Sequence, residues 1–208
     1  GVFAGTTGSL RFKQNLGDGW LWTTQYGAQR LRSDDRLSYA FGCGGSKCDR
    51  FYGDGSFDLY DWRSDNERRT ADTLQTSLTG SAVLGEMRHN FNASVSRQRQ
   101  VLQAPDIQPF IYMGTGNIYD SSVIPGNADY SDFGTNSREY TSELSINDRL
   151  ELNEKTSLWL GLRHSQFSRS SIKNDGSQAI RDPRAFNTPW VAGSYQWTSQ
   201  TTVYARHG

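Results

Sequence analysis

Two long polar stretches carry a dense set of side chains able to grip a ligand. Residues 33–68 hold Tyr39, Phe41, Phe51, Tyr52, Phe57, Tyr60 and Trp62, with Arg50 and Arg63 among them. Residues 104–137 hold Phe110, Tyr112, Tyr119, Tyr130 and Phe133. Exposed loops rarely display so many rings, and such patches mark binding sites. Rings stack on flat, apolar parts of a ligand, while tyrosine hydroxyls and guanidinium groups hold its oxygens. Trp62, Tyr112, Tyr119, Tyr60 and Phe110 are the expected contacts. The competing reading is that these rings pack the loops against one another.

Other chemistry finds little support. His89, His164 and His207 are scattered, and no pair has the spacing of metal ligands, so no metal site is expected. No Gly-x-Ser-x-Gly elbow occurs, and the many Ser and Asp residues define no triad. Asn174-Asp175-Gly176 reads as a turn in preference to a calcium site. Cys43 and Cys48 lie within Gly42-Cys43-Gly44-Gly45-Ser46-Lys47-Cys48. Glycines let so short a loop curl enough to bring two Cβ atoms together, and an exported protein would favour a disulfide. Two free thiols are the alternative.

Composition narrows the class. Only 35% of the 208 residues are hydrophobic, and the mean hydropathy is -0.72. A soluble domain that polar would bury a thin core. With 12% aromatic residues the chain is also a poor match for disorder. The formal net charge is zero, so no basic field draws it to nucleic acid. No apolar run approaches the roughly 20 residues of a membrane helix, and any crossing must use strands. The chain opens at Gly1 with a strand-like stretch and stops inside another, so it is expected to be an internal piece of a longer protein.

What must position the rings is a set of strands. Tight turns fall at Gly17-Asp18-Gly19, Gly85-Glu86, Asn153-Glu154-Lys155 and Ser199-Gln200. Long polar stretches, 33–68, 104–137 and 173–188, separate them. The segments between alternate apolar with polar residues, the period of a strand with two unlike faces. Eight strands are predicted: 2–16, 20–32, 69–84, one from Met87, 138–152, 156–172, 189–198, and one starting at Thr201. If they run up and down, every short turn lies at one end and every long loop at the other. That asymmetry is the pattern of an outer-membrane β-barrel.

The faces are explicit. Leu10 and Phe12; Trp20, Trp22, Tyr26 and Ala28; Leu74, Leu78, Ala82 and Leu84; Phe91, Ala93 and Val95 are expected to face lipid. Leu144, Ile146 and Leu150, then Leu158, Leu160 and Leu162, then Val191, Tyr195 and Trp197 continue that face. Asp148 interrupts it. Arg11, Lys13, Arg88, Glu143, Arg149, Glu151 and Arg163 are expected on the lumen side, pairing across neighbouring strands. Trp20, Trp22 and Trp197 beside short turns, and Tyr140 beside a long loop, suit interfacial girdles. Trp159 falls on the lumen face and does not.

Three stretches carry a specific resemblance. They are Thr70-Ala71-Asp72-Thr73-Leu74-Gln75-Thr76-Ser77-Leu78-Thr79-Gly80 with the strand from Met87 to Ser96, Leu150-Glu151-Leu152-Asn153-Glu154-Lys155-Thr156-Ser157-Leu158-Trp159-Leu160-Gly161-Leu162-Arg163-His164, and Thr188-Pro189-Trp190-Val191-Ala192-Gly193-Ser194-Tyr195-Gln196-Trp197. They resemble the barrel of TonB-dependent outer-membrane receptors, in the ferric-siderophore branch. The resemblance implies an all-β, antiparallel up-and-down transmembrane barrel, of which residues 1–208 supply about eight of 22 strands. It places the plug domain, the TonB-box segment and the closing C-terminal strands outside this chain. It implies uptake of a ferric siderophore across the outer membrane of a Gram-negative cell, energised by TonB through the plug. The partners are then the siderophore, TonB and outer-membrane lipid. No bond is made or broken in the substrate, so neither enzymatic activity nor a resident cofactor is expected. Two alternatives remain open at this point: a small outer-membrane barrel enzyme, and a soluble carbohydrate-binding β-sandwich.

Overall fold

A computed structural model describes residues 1–41, 51–121, 123–126 and 132–208. Cys43, Cys48, Arg50 and Tyr130 lie outside the described residues.

Among the described residues nine strands build one antiparallel sheet. They are β1 (Val2–Gly17), β2 (Trp20–Phe41), β3 (Ser56–Leu84), β4 (Met87–Gln103), β5 (Phe110–Asn117), β6 (Thr135–Glu151), β7 (Thr156–Lys173), β8 (Ile180–Gln196) and β9 (Thr202–His207). Eight follow one another as a meander, β1-β2-β3-β4-β6-β7-β8-β9, and β5 adds to β3. A sandwich needs two sheets packed face to face. This single sheet with strands of 16 to 29 residues in β1–β3 excludes that alternative.

The expected turns hold. Gly17, Asp18 and Gly19 all have positive φ, and so does Gly85. Left-handed backbone of this kind closes a tight hairpin and suits glycine. The Asn153 and Thr198 side chains accept bonds from Lys155 N–H and Gln200 N–H and so cap the other two short turns.

The long stretches are a different matter. Within the first stretch, residues 33–41 and 56–68 belong to a ladder, with β2 and β3 paired from Leu21↔Thr79 to Phe41↔Asp58. One extra residue in β3 sits between the pairs Ser33↔Glu67 and Asp35↔Ser64, where Asn66 has φ 60°. Residues 173–188 shrink to a short turn, because β8 already begins at Ile180. The 104–137 stretch keeps a long connection after β5, and β5 itself was not anticipated.

Register confirms the two faces. Trp22, Leu78, Ala93, Ile146, Leu162 and Pro189 are consecutive partners across six strands. One step along, Thr23, Ser77, Ser94, Ser145 and Arg163 form a polar row. The upper limit of the apolar run drifts across the sheet. It lies at Tyr26 and Leu74 in β2 and β3, at Val95 and Leu144 in β4 and β6, and at Leu162 and Pro189 in β7 and β8. A level apolar band crossed by tilted strands has this stepped edge.

Candidate functional site

Five rings meet where the sheet extends beyond its apolar band. Tyr60 stacks on Phe110 with centroids 5.1 Å apart and planes 12° apart. Tyr112 meets Tyr60 edge-on at 5.6 Å, and Phe41 meets it edge-on at 5.4 Å. Tyr39 and Phe41 each lie 6.2 Å from Phe110. Strand period explains the gathering. Tyr39 is opposite Tyr60, and Tyr60 is opposite Tyr112, so alternate residues of β2, β3 and β5 share one face. The rings remain open to solvent, with Phe41, Phe110 and Tyr112 all exposed.

The cluster ends in a polar edge. Tyr112 OH lies 2.7 Å from Thr115 Oγ1, which donates to Asp58 Oδ1 at 3.0 Å. Stacking surface beside an aligned hydroxyl and carboxylate suits a flat ligand with polar groups along one side.

A buried network sets the position of β5. Ser64 and Glu67 are 0% and 3% exposed. Ser64 Oγ donates to Glu67 Oε2 at 2.9 Å, and Arg69 Nε donates to Glu67 Oε1 at 2.7 Å. Gln108 Nε2 donates to Ser64 Oγ at 2.9 Å and to Glu67 Oε2 at 3.3 Å. A carboxylate this buried is tolerated because both oxygens are bonded. Arg63 N–H also donates to Pro109 O at 3.2 Å. Residues 108 and 109 are thereby pinned to β3, and Phe110 follows directly onto Tyr60.

The expected contacts divide accordingly. Tyr60, Phe110 and Tyr112 lie in the cluster. Trp62 shares their face and stands opposite Phe110 in register, one step down the ladder. Tyr119 lies elsewhere, past the end of β5, with its ring against Gly55. Gly55 has φ 84°, and a Cβ there would come within 2.6 Å of the Tyr119 ring. Next to it, the Ser56 hydroxyl and N–H both donate to Asp54 Oδ1, at 2.7 and 2.9 Å. These bonds hold the Asp54 carboxyl below the usual carboxylate range. Thr115, Asp58, Glu67 and Gln108 were not anticipated. The pairing of β3 with β5 is what joins them, and no local signal announces it.

Among the charges expected on the polar row, Arg163 lies 4.0 Å from Glu143, a charge pair as expected. Arg11 instead donates twice to the uncharged Gln25 Oε1, at 3.0 and 2.7 Å. Trp159 is explained by Arg149, whose guanidinium sits 5.2 Å from the ring centroid.

No family model matches the chain, and no curated protein matches it in sequence. Solved structures do match in fold. The ferric preacinetobactin receptor BauA of Acinetobacter baumannii superposes with a TM-score of 0.75 at 18% identity, over 98% of this chain and 30% of that one. The chain has the fold of a siderophore-receptor barrel wall. The ferric-catecholate import receptor Fiu of E. coli K12, in its open form, gives 0.71 at 18% identity, over 98% of this chain and 35% of that one. FpvA of P. aeruginosa, bound to heterologous pyoverdines, gives 0.75 at 16%, over 96% of this chain and 26% of that one. This barrel wall thus spans about a third of the length of such receptors.

Proposed function

We propose that the chain forms part of the transmembrane barrel and of the extracellular ligand surface of an outer-membrane receptor for ferric siderophores. The observation that carries this reading is the five-ring cluster on the β2–β3–β5 extension, at the end of the sheet away from the short turns. Solved structures of the same fold support it, being described as a ferric preacinetobactin receptor, a ferric-catecholate import receptor and a ferripyoverdine receptor. On this reading the apolar row faces lipid and the polar row faces the lumen. TonB supplies the energy through a plug domain contributed by the rest of the protein, and no substrate bond is broken.

Tyr39, Phe41, Tyr60, Phe110 and Tyr112 then hold the organic part of the chelate, and Asp58 and Thr115 fix its polar edge. A deletion strain complemented with the intact gene tests the reading. Under iron limitation the complemented strain takes up at least one labelled ferric chelate that the deletion strain does not. Unchanged uptake of every chelate in a broad panel refutes the assignment.

A further inference from the structure

On the apolar face, four neighbouring strands, β2, β3, β4 and β6, pass from apolar or aromatic residues to arginine at the same end of the sheet. β2 runs from Trp22 and Tyr26 to Arg30 and Arg32, and β3 from Leu78 and Leu74 to Arg68. β4 runs from Ala93 and Val95 to Arg97 and Arg99, and β6 from Ile146 and Leu144 to Arg138. Register places all six arginines on one surface. Arg30, Thr70, Val101 and Arg138 are consecutive partners, Arg99 lies between Asp72 and Tyr140, and Arg32 stands opposite Arg68. All six side chains are exposed.

Carboxylates do not balance this surface. Asp72 is taken by Arg30 at 2.7 Å and by the Tyr26 hydroxyl at 3.0 Å. Asp34 accepts the Asn66 N–H and lies 3.8 Å from Arg32. Glu67, Glu139 and Glu143 belong to the opposite face. Among the described residues Arg97 and Arg138 enter no ion pair, and Arg99 stands opposite Asp72 without contacting it, because Arg30 holds that carboxylate. Like charges facing each other across a ladder, as Arg32 faces Arg68, destabilise a sheet. A counter-charge from outside the chain relieves that repulsion.

Resting on the barrel reading above, we propose that this patch binds the phosphate groups of an acylated, phosphorylated glycolipid in the outer leaflet. Three features select that occupant. Every cation in the patch is arginine, whose planar fork matches phosphate oxygens. Register sets Arg32 directly opposite Arg68, and Arg99 diagonal to Arg138 on the adjacent strand, placing each pair within side-chain reach of one headgroup. Directly below lie Val95, Leu144 and Ile146, exposed apolar side chains that suit acyl chains and not a free anion.

The test uses the intact gene product, purified in mild detergent. Heat-modifiable migration on a gel first establishes a folded barrel. Wild-type protein is then titrated with bis-phosphorylated lipid A, with its dephosphorylated form, and with inorganic phosphate as competitor. The expected result is binding of the phosphorylated lipid at least about tenfold tighter than of the dephosphorylated one, with no displacement by millimolar phosphate. A heat-modifiable R97Q/R99Q/R138Q variant loses a similar factor, whereas R11Q/R163Q on the polar face does not. Equal binding of both lipid forms by a folded wild type overturns this proposal alone. Displacement by phosphate also overturns it, in favour of an anion site. A wild type that needs no detergent and shows no heat-modifiable band overturns the barrel reading, and this one with it.

Discussion

His89 Nδ1 lies 2.7 Å from Asp148 Oδ2, and both belong to the apolar face of the sheet. Asp148 interrupts a row of leucines and isoleucine in β6, yet the strand continues unbroken from Thr135 to Glu151. Its side chain is met by His89 from the adjacent strand. His89 also stacks on Phe91 at 5.4 Å, and Phe91 stacks on Trp20 at 6.2 Å. One carboxylate oxygen, Asp148 Oδ1, is buried without a partner. The pair is therefore poorly compensated, and His89→Leu leaves the carboxylate alone. We expect H89L to destabilise the barrel by about 1–3 kcal/mol. The double variant H89L/D148L removes both polar groups and recovers most of that loss. Urea midpoints in lipid vesicles measure both, and equal midpoints for wild type and H89L refute the account.

The same corner makes a prediction about glycine. Trp20 lies flat across Gly80 to reach Phe91, and a Cβ at Gly80 would occupy the space of the indole ring. G80V displaces the ring and breaks the stack, with an expected loss of about 1–3 kcal/mol. Gly8 in β1 has open space around it, so G8A serves as the matched control with little change. A G80V urea midpoint equal to that of G8A contradicts this packing.

The ring cluster predicts how affinity is distributed. Phe110 touches Tyr39, Phe41 and Tyr60, so F110A removes the centre of the surface. On the proposed receptor reading, affinity for the ferric chelate should fall by roughly tenfold or more, as for an aromatic anchor that the ligand covers on binding. Gln108→Ala should act through position, by loosening β5, and lower affinity without touching the ligand. Tyr119, outside the cluster, tolerates alanine. Direct binding titrations on the intact receptor decide the matter, and a larger effect at Tyr119 than at Phe110 moves the site.

Particular residues show why some of this was legible in sequence and some was not. Strands near the apolar band announce themselves because lipid admits only one class of side chain on one face. Phe91, Ala93 and Val95 between Asn90, Asn92, Ser94 and Ser96 are readable for that reason. Beyond the band both faces meet water, and the alternation has no cause. Residues 33–41 and 56–68 therefore read as loop although they are strand, and Ile180 to Thr188 likewise. The extra residue at Asn66 shifts the phase of β3 as well. β5 contains Gly114 and Gly116, with φ 141° at Gly114 and a register shift beside it, which hides its period. Three of five expected ligand contacts fell together because rings two residues apart share a face. Asp58, Thr115 and Gln108 stayed hidden because only the β3–β5 pairing brings them in.

Acid tests the turn that leads into β3. Hydrogen bonds from Ser56 lower the folded-state pKa of Asp54. A depressed carboxyl contributes stability that is fully present above its unfolded value, near about 3.9. That contribution is lost as pH falls through the lower folded value. Hydrogen exchange at the Ser56 amide should therefore show constant protection from neutral pH down to about 5, once corrected for intrinsic rates. Protection should weaken only in stronger acid. D54N should remove the acid step. A loss of protection centred near neutral pH is incompatible with this assignment.

The orientation of the sheet in the membrane makes the broadest prediction. Phe91, Val95, Leu144 and Ile146 lie on one row system, while Asn92, Ser94, Ser145 and Asn147 lie on the other. A one-residue slip would exchange the two sets completely. Spin labels placed singly at Phe91, Val95, Leu144 and Ile146 in the intact protein should relax readily with oxygen dissolved in the bilayer. Labels at Asn92, Ser94, Ser145 and Asn147 should respond instead to a water-soluble relaxant inside the lumen. The contrast should be strongest at Ile146, whose partners Ala93 and Leu162 are also apolar. Near the short turns it should weaken, because the outward row there contains Asp148 and His89. Equal access of the aqueous relaxant to both sets would mean that neither face meets lipid, and the barrel assignment would fail with it.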